Sequence, residues 1–370
     1  MVKITHLTSA HPRYDTRIFV KMCCSLAKKE SYRVSLIVAD GLGDELKNSV
    51  QIIDIGAKEG GRVARMTATS LKVFEKAVQL QSHIYHLHDP ELIPIGLKLK
   101  KLGHKVIFDA HEDLPKQILA KPYLNPVSKR VLSFFASSYE KFALKKFDGI
   151  ITATPYIRDK FLKINNMTID VNNFPIVSEL SNTTPWSQKA DEICYIGNLT
   201  TVRGIKKLVK AMELVDGVRL NIAGKYLENG LEEELKSYKG WEKVNFLGFL
   251  DREGILEVLK RSKAGVVTLY PIINYVDALP VKMFEYMVAR LPVISSDIDY
   301  WKEIVEGNEC GLCVNPKNPQ EIAKAIESII QHPKEASKMG ENGKQAVLKK
   351  YNWRNEEEKL LYFYKKLLRS

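Results

Sequence analysis

No stretch of this 370-residue sequence approaches the roughly 18 consecutive apolar residues of a membrane-spanning helix. Its opening, MVKITHLTSAHPRYD, lacks the apolar core of about 7–15 residues that a secretory signal requires, so none is expected. Cysteine is scarce, five in all. Cys23 and Cys24 adjoin, Cys194 stands alone, and Cys310 and Cys313 enclose a single C-G-L-C. A structural zinc site wants four ligands, so the thiols read as reduced cysteines of a cytoplasmic protein. Two nucleotide signatures are also missing. The first apolar run is followed by TSAHPRYDTR, which has no glycine where G-x-G-x-x-G would begin, and Gly41 and Gly43 are followed by Leu46 in the third place. No G-x-x-x-x-G-K-[ST] occurs either, so neither nicotinamide nor P-loop chemistry is supported.

Ordinary contents of apolar (45%) and charged (27%) residues exclude disorder and fibrous structure. The length fits about two domains. The net charge of +12 is unevenly spread. Residues 1–185 hold 27 Lys and Arg against 18 Asp and Glu, leaving +9, whereas residues 186–370 hold 29 against 26, leaving +3. A basic first half points to an acidic partner: nucleic acid, a phosphorylated ligand or an anionic membrane surface.

Short β-branched runs alternate with amphipathic ones. VKITHL, RVSLIVAD, VQIIDI, HIYHLHD, KVIFDAH and DGIITAT read as strands, with helical patterns between most of them. Nearly continuous apolar strands alternating with helices predict a parallel sheet covered on both faces. The proline-containing polar stretch 174–191 breaks the rhythm, and the alternation resumes with EICYIGNL, RLNIAGK, KVNFLGFL, AGVVTLYP and LPVISSD. The expected organisation is an α/β, doubly wound domain over 1–180 and a second over 181–354, with a final helix of 355–370. Two such domains would set the carboxyl ends of their sheets, where ligands bind open α/β sheets, across a cleft.

Two segments carry recognisable chemistry. In GNLTTVRGIKKLVKAM a strand ends at Gly197 and a loop leads through Arg203 and Gly204 into a helix, whose first amides and guanidinium suit a phosphate. In YPIINYVDALPVKMFEYMVARLPVISSD, Asp277 lies on a loop and Pro280 is placed at the first helical position. The amides of Val281 and Lys282 would face an anion, and Glu285, about one turn on, could accept two bonds from a ribose diol. Together they describe a nucleotide-diphosphate site.

This second segment resembles the donor-binding stretch of glycosyltransferase family 4, and the similarity runs through nearly the whole chain. It implies the GT-B fold, two Rossmann-like domains with a last helix crossing back to the first. It also implies a retaining enzyme that uses a nucleotide-sugar donor. The family's E-x7-E reads here as Asp277-x7-Glu285: Glu285 would bind the donor ribose, Asp277 would approach the sugar hydroxyls, and Leu279 and Pro280 lie between them. The family's G-R-L-x-x-x-K-G reads Gly197-Asn198-Leu199-Thr200-Thr201-Val202-Arg203-Gly204. Arg203 falls on the phosphate-binding lysine, Asn198 falls on an arginine and loses its charge, and Lys282 is the expected replacement cation. In the first domain His111 of KVIFDAHEDLP is similar to a histidine that faces the donor sugar. His11, Asp15 and Arg17 of the first strand-to-helix loop, with His86, His88 and Asp89, would lie on the acceptor side. Arg203, Lys282 and His111 are the expected catalytic residues.

The implied reaction moves a sugar to a hydroxyl of a glycan, lipid-linked, in surface polysaccharide biosynthesis. The departing phosphate itself takes the acceptor proton. No cofactor and no metal is expected, since side-chain cations and helix amides do that work. Asp297-Ile298-Asp299 spells D-x-D, a metal motif of another glycosyltransferase fold, but it follows the donor helix here. Nucleic acid is not an expected partner. Residues 128–149 mix Phe134, Phe135 and Phe142 with Lys129, Arg130, Lys141, Lys145 and Lys146, and read either as a helix packed on the sheet or as one lying on anionic lipid at the inner face of the cell membrane. The alternatives to a transferase are a nucleotide-sugar epimerase of the same build and a non-catalytic sugar or nucleotide binder.

Overall fold

A computed structural model describes residues 1–369 except 59, 62, 63, 122 and 123. Residue 370, the end of the expected final helix, lies outside the described residues. The chain divides into two compact units, Met1–Asn173 with Glu356–Ser370, and Phe174–Asn355. The division therefore falls before the proline-containing stretch, which belongs to the second unit.

The first unit is built on an eight-stranded sheet of β1 (Val2–Leu7), β2 (Tyr32–Val38), β3 (Glu45–Lys47), β4 (Val50–Asp54), β5 (Ile84–Leu87), β6 (Lys105–Ala110), β7 (Gly149–Thr152) and β8 (Thr168–Asp170). The order is β3-β4-β2-β1-β5-β6-β7-β8, parallel except for the short β3, which pairs antiparallel with β4. The second unit holds six parallel strands: β9 (Glu192–Ile196), β10 (Arg219–Ala223), β11 (Val244–Gly248), β12 (Ala264–Val267), β13 (Val293–Ser296) and β14 (Gly311–Val314), in the order β11-β10-β9-β12-β13-β14. Both faces of this sheet are covered. Along β9, Ile193 and Tyr195 enter one apolar cluster while Cys194 and Ile196 enter the other, which is why the strand reads as unbroken apolar sequence.

Six helices carry or flank the candidate residues: α1 (Thr16–Cys23), α2 (Pro126–Leu144), α3 (Ile205–Met212), α4 (Arg252–Arg261), α5 (Val281–Val288) and α6 (Trp353–Arg369). The first is widened, with the Val20 amide reaching back to the Asp15 carbonyl, and it runs on into Cys24–Ala27. From Glu356 onward α6 belongs to the first unit, where the Tyr364 hydroxyl meets His86. Strand order reverses between β1 and β5 in one unit and between β9 and β12 in the other. Such switch points are where α/β sheets receive ligands. The loops after β1 and β5 and after β9 and β12, with helices α1 and α5 that follow two of them, carry all the candidate site residues except His86, on β5, and His111, just after β6.

Among the described residues, no helix is long and apolar enough to cross a membrane. The five cysteines are unpaired.

Candidate active site

In the second unit the turn after β9 is shaped by two glycines. Gly204 has φ +78°, and a β-carbon there would stand 1.9 Å from the Thr268 carbonyl oxygen, so only glycine lets α3 start this close to β12. Gly197 has φ +132°, and a β-carbon would come within 2.8 Å of Lys282 Nζ and 3.7 Å of Arg203 Nη1. The two cations thus share the space that Gly197 leaves open. Asn198 is exposed, and its carbonyl accepts bonds from the Tyr195 hydroxyl (3.0 Å) and from Arg203 Nη1 (3.4 Å). The turn is held from behind by Glu228, whose carboxylate accepts from the Thr201 amide at 3.0 Å and the Thr201 hydroxyl at 2.6 Å.

Pro280 stands one place earlier than its sequence position implied. Its ψ of 116° keeps it extended, and it serves as the residue before α5 rather than its first helical one. Val281 and Lys282 then occupy the first turn, where amides have no intrahelical acceptor. The loop leading in is pinned by the Trp301 indole, which donates to the Ala278 carbonyl at 2.8 Å, and by Leu279 packed on the core. Asp277 is half-buried on this loop. The Tyr286 hydroxyl accepts from the Ile196 amide at 2.9 Å, fixing α5 to the end of β9.

Lys282 reaches back over the Tyr195 ring, with Nζ 3.9 Å from its centroid. Its stem is partly exposed, but Nζ is shut off from solvent and has no hydrogen-bond partner. Burial, and then the Arg203 charge, lower its pKa to about 7, with Glu285 opposing. Glu285 lies on the same helix and binds Arg252 Nη1 of α4 at 2.7 Å, while Arg252 Nη2 binds Glu179 at 2.8 Å. Nothing in the sequence pattern marks Arg252, Tyr195 or Glu228. All three come to the site only through folding.

In the first unit the candidate residues form one network. Register pairs His6 of β1 with His86 of β5, and His88 follows on the same face. Asp109, near the end of β6, is fully buried. It accepts from Arg17 Nε (3.0 Å) and Nη2 (2.6 Å), from His88 Nδ1 (3.0 Å) and from His111 Nε2 (2.8 Å). Burial would raise its pKa, but Arg17, His111 and His88 together hold it well below the usual carboxylate range. With His88 Nδ1–H donated to Asp109, His88 Nε2 accepts from His6 Nδ1 at 2.8 Å. His6, His86 and His88 are all pushed toward the neutral form by burial.

Closer to the surface, Asp89 accepts from the Ser9 amide (2.6 Å) and the Thr8 hydroxyl (2.8 Å) and pairs with His11 at 3.0 Å. Burial works against a charged His11, but Asp89 outweighs it and raises the imidazole's pKa. Asp15 caps α1 by accepting from the amides of Arg17 and Ile18, both at 2.9 Å. Of the six expected acceptor-side residues, Arg17, His86, His88 and Asp89 are therefore interior, and His11 and Asp15 are partly exposed. His111 is partly exposed too. Asp109, not singled out from sequence, is the hub. It was legible in principle, lying two places before His111 on a strand, hence on the same face.

Among the described residues, two groups bring three metal-ligating side chains together: His6, His86 and His88, and His88, Asp109 and His111. His6 Nε2 and His86 Nε2 are buried without partners. Asp297 and Asp299 are both exposed and belong to neither group.

Residues 177–346 match the family model described as glycosyl transferases group 1. The chain is 22% identical over 300 residues to glycogen synthase of Mycobacterium tuberculosis, covering 71% of this chain and 70% of that protein. Among solved structures it is similar to sucrose-phosphate synthase from Thermosynechococcus elongatus, with a TM-score of 0.79 at 18% identity over 100% and 99% of the two chains. It is also similar to Anabaena Alr3699/HepE in complex with UDP-glucose, with a TM-score of 0.75 at 14% identity over 99% and 100%. The two parallel α/β units and these relatives agree: the chain has the GT-B fold and is an enzyme of the glycosyltransferase type.

Proposed function

We propose that the chain transfers a sugar from a nucleotide-diphosphate sugar to a hydroxyl of a glycan acceptor, with retention at the anomeric carbon. The observation that carries this reading is the meeting of Arg203 and Lys282 at Gly197, one helical turn from Glu285. The two cations and the amides of Val281 and Lys282 take the diphosphate, and Glu285 takes the ribose diol. A carboxylate offers about four lone-pair sites, so its single bond to Arg252 leaves room for a diol. The UDP-glucose complex of the Anabaena neighbour supports this donor class.

As the bond from the anomeric carbon to the phosphate oxygen breaks, negative charge grows on the diphosphate, and cations already in place stabilise it without reorganising. That phosphate oxygen takes the proton of the incoming hydroxyl, so no protein base is required. His111, oriented by Asp109, contacts the donor sugar. His11 and Asp15 meet the acceptor, backed by Arg17, His86, His88 and Asp89. No metal and no cofactor enters this scheme. The comparisons do not favour an epimerase or a non-catalytic binder.

The acceptor is lipid-linked, and the enzyme works at the inner face of the cell membrane in surface polysaccharide synthesis. The support for this is α2. Only Glu140, Ala143 and Leu144 of this helix are buried, while Val127, Phe134, Phe135 and Phe142 are 56–72% exposed beside Arg130 and Lys141, with Lys145 and Lys146 just beyond. Apolar side chains between cations suit an anionic bilayer, with each cation contributing about 1 kcal/mol near the surface. Changing Lys129, Arg130, Lys141, Lys145 and Lys146 together to Gln should abolish co-sedimentation with phosphatidylglycerol vesicles at low salt. A wild type that never sediments removes the membrane from the reading.

The transfer itself is tested with UDP-, GDP- and ADP-linked sugars. A bound donor at 100 times its dissociation constant stabilises by about 2.7 kcal/mol. Transfer or slow donor hydrolysis supports the reading. Isomerised donor would replace it with the epimerase, and binding without turnover with the binder.

A further inference from the structure

Lys282 Nζ has an unusual setting for an ammonium group. It is closed off from solvent, has no hydrogen-bond partner, lies on the Tyr195 ring and shares the space above Gly197 with Arg203. The titratable or charged groups that face it are Arg203 from the turn before α3, Cys194 and Tyr195 from β9, and Glu285 from its own helix. Only Glu285 among them is an anion at neutral pH, and its carboxylate is engaged by Arg252 at 2.7 Å. Two adjacent cations without a free counter-ion repel each other, and the one without hydration or a hydrogen bond is the one that gives up its charge.

We propose that Lys282 waits in the empty site in good part as the neutral amine and is protonated when the donor's diphosphate arrives, so that donor binding carries a proton into the site. The step is simple acid–base chemistry. The amine lone pair forms an N–H bond with a proton whose bond to hydronium or to the buffer acid breaks, that acid leaves as its conjugate base, and nothing is oxidised. The two negative charges of the diphosphate supply the counter-ions that the empty site lacks, and the new ammonium gains acceptors for its three N–H groups. The inference rests on the nucleotide-sugar reading and adds a regulation to it. Lys282 stands near pKa 7 in the free protein and higher in the complex, so the complex holds more protons. Affinity is then flat below about pH 7 and falls by about tenfold per pH unit above it, until the pKa of the complex is reached.

The experiment is titration calorimetry with UDP-glucose, or whichever nucleotide sugar the donor panel shows to bind, in buffers of different ionisation enthalpy. A nucleotide sugar is used because the terminal phosphate of a free nucleotide titrates near pH 6 by itself. The expected uptake is about 0.9 proton per donor at pH 8 and about 0.1 at pH 6. Lys282→Arg, charged at every pH used, should bind without uptake. Lys282→Met, which removes the buried amine and should keep the fold, should bind more weakly and also without uptake. Binding with no buffer-dependent heat at pH 8 overturns the inference and leaves the donor reading standing. So does uptake that persists in either variant. Failure of every nucleotide sugar to bind overturns the donor reading, and this inference with it.

Discussion

Asp109 in the first unit and Lys282 in the second both sit beside a switch point of a parallel sheet, and both lie out of reach of water at their charged end. Asp109 receives four side-chain hydrogen bonds, from Arg17, His88 and His111, whereas Lys282 Nζ receives none. A carboxylate so supplied has nothing left to offer a ligand, and its work is to hold imidazoles and a guanidinium in place. An ammonium left bare in a rigid turn is unfavourable until an anion comes. A satisfied buried carboxylate such as Asp109 specifies structure, whereas the bare Lys282 amine stands to gain from a ligand.

The largest effect should come from breaking the satisfied side. Arg17→Met strips the buried Asp109 of its guanidinium and leaves it only the bonds from His88 and His111; removing one partner of a buried pair costs about 3–5 kcal/mol. Hydrogen exchange should quicken in β1, β5 and β6 and stay unchanged in β9, β12 and β13. Adding Asp109→Asn should recover part of the loss, because no lone charge then remains. If Arg17→Met melts like the wild type, the network is ornament rather than scaffold.

Acid should separate the units next. His6, His86 and His88 have folded pKa values lowered by burial from an ordinary 6.5, so as pH falls below about 6.5 the unfolded chain takes protons that the folded one refuses. Stability of the first unit should fall by up to about 1.4 kcal/mol per pH unit for each such histidine. His11 acts in the opposite sense: its raised pKa favours the fold as it protonates. The second unit carries no histidine but the exposed His332 and should be far less sensitive. Hydrogen exchange at pH 5.5 and 7.5 measures both units at once. Equal weakening of the two would show that the buried imidazoles are already charged in the fold.

Glu285→Ala acts on the wanting side and should be milder for the fold. The residue opens no hole in the core, and what is lost is one or two charged hydrogen bonds to donor ribose, each worth roughly 1.5–3 kcal/mol. Donor affinity should fall by about one to four orders of magnitude, with little change in melting temperature. Arg252 loses a partner in the same variant but keeps Glu179. Unchanged nucleotide binding in calorimetry would make Glu285 a tether for Arg252 and nothing more.

Much of the architecture is readable from residue order. Alternating β-branched and amphipathic runs imply two parallel α/β units, and the glycines at 197 and 204 with Arg203 mark the turn proposed to hold phosphate, because a backbone that must turn left-handed beside a strand admits little else. The expectation that Lys282 stands in for the charge missing at Asn198 needs a fold to be weighed, since 84 positions separate them and only the β9–α5 packing brings Nζ to Gly197. Helix α2 is ambiguous in sequence for a different reason. Its periodicity is the same whether the apolar face meets a sheet or a membrane, and exposure is a property of the fold. The histidines are visible as residues but not as a network, because which strand lies beside which is set by topology. The division of the chain falls earlier than proline and polar content imply: Phe174 packs edge to face with Phe284 and Tyr351, so an apolar anchor within the stretch assigns it to the second unit.

The smallest effect should be that of chelation. In the second unit the turn at Gly197 presents Arg203, Lys282 and free helix amides, and among the described residues no group of three metal-ligating side chains stands there. Fixed cations of this kind can hold a diphosphate by themselves, so EDTA should leave donor affinity and transfer rate unchanged within error. The first unit makes the result informative. Its His6, His86 and His88 include two buried, unpartnered ring nitrogens, which is the arrangement a divalent ion would take. If EDTA abolishes transfer but leaves donor affinity intact, the metal belongs with those histidines, and the satisfied unit has a receptor of its own. If EDTA weakens donor affinity itself and magnesium restores it, Arg203 and Lys282 do not suffice for the diphosphate, and the contrast between the two units fails at its central point.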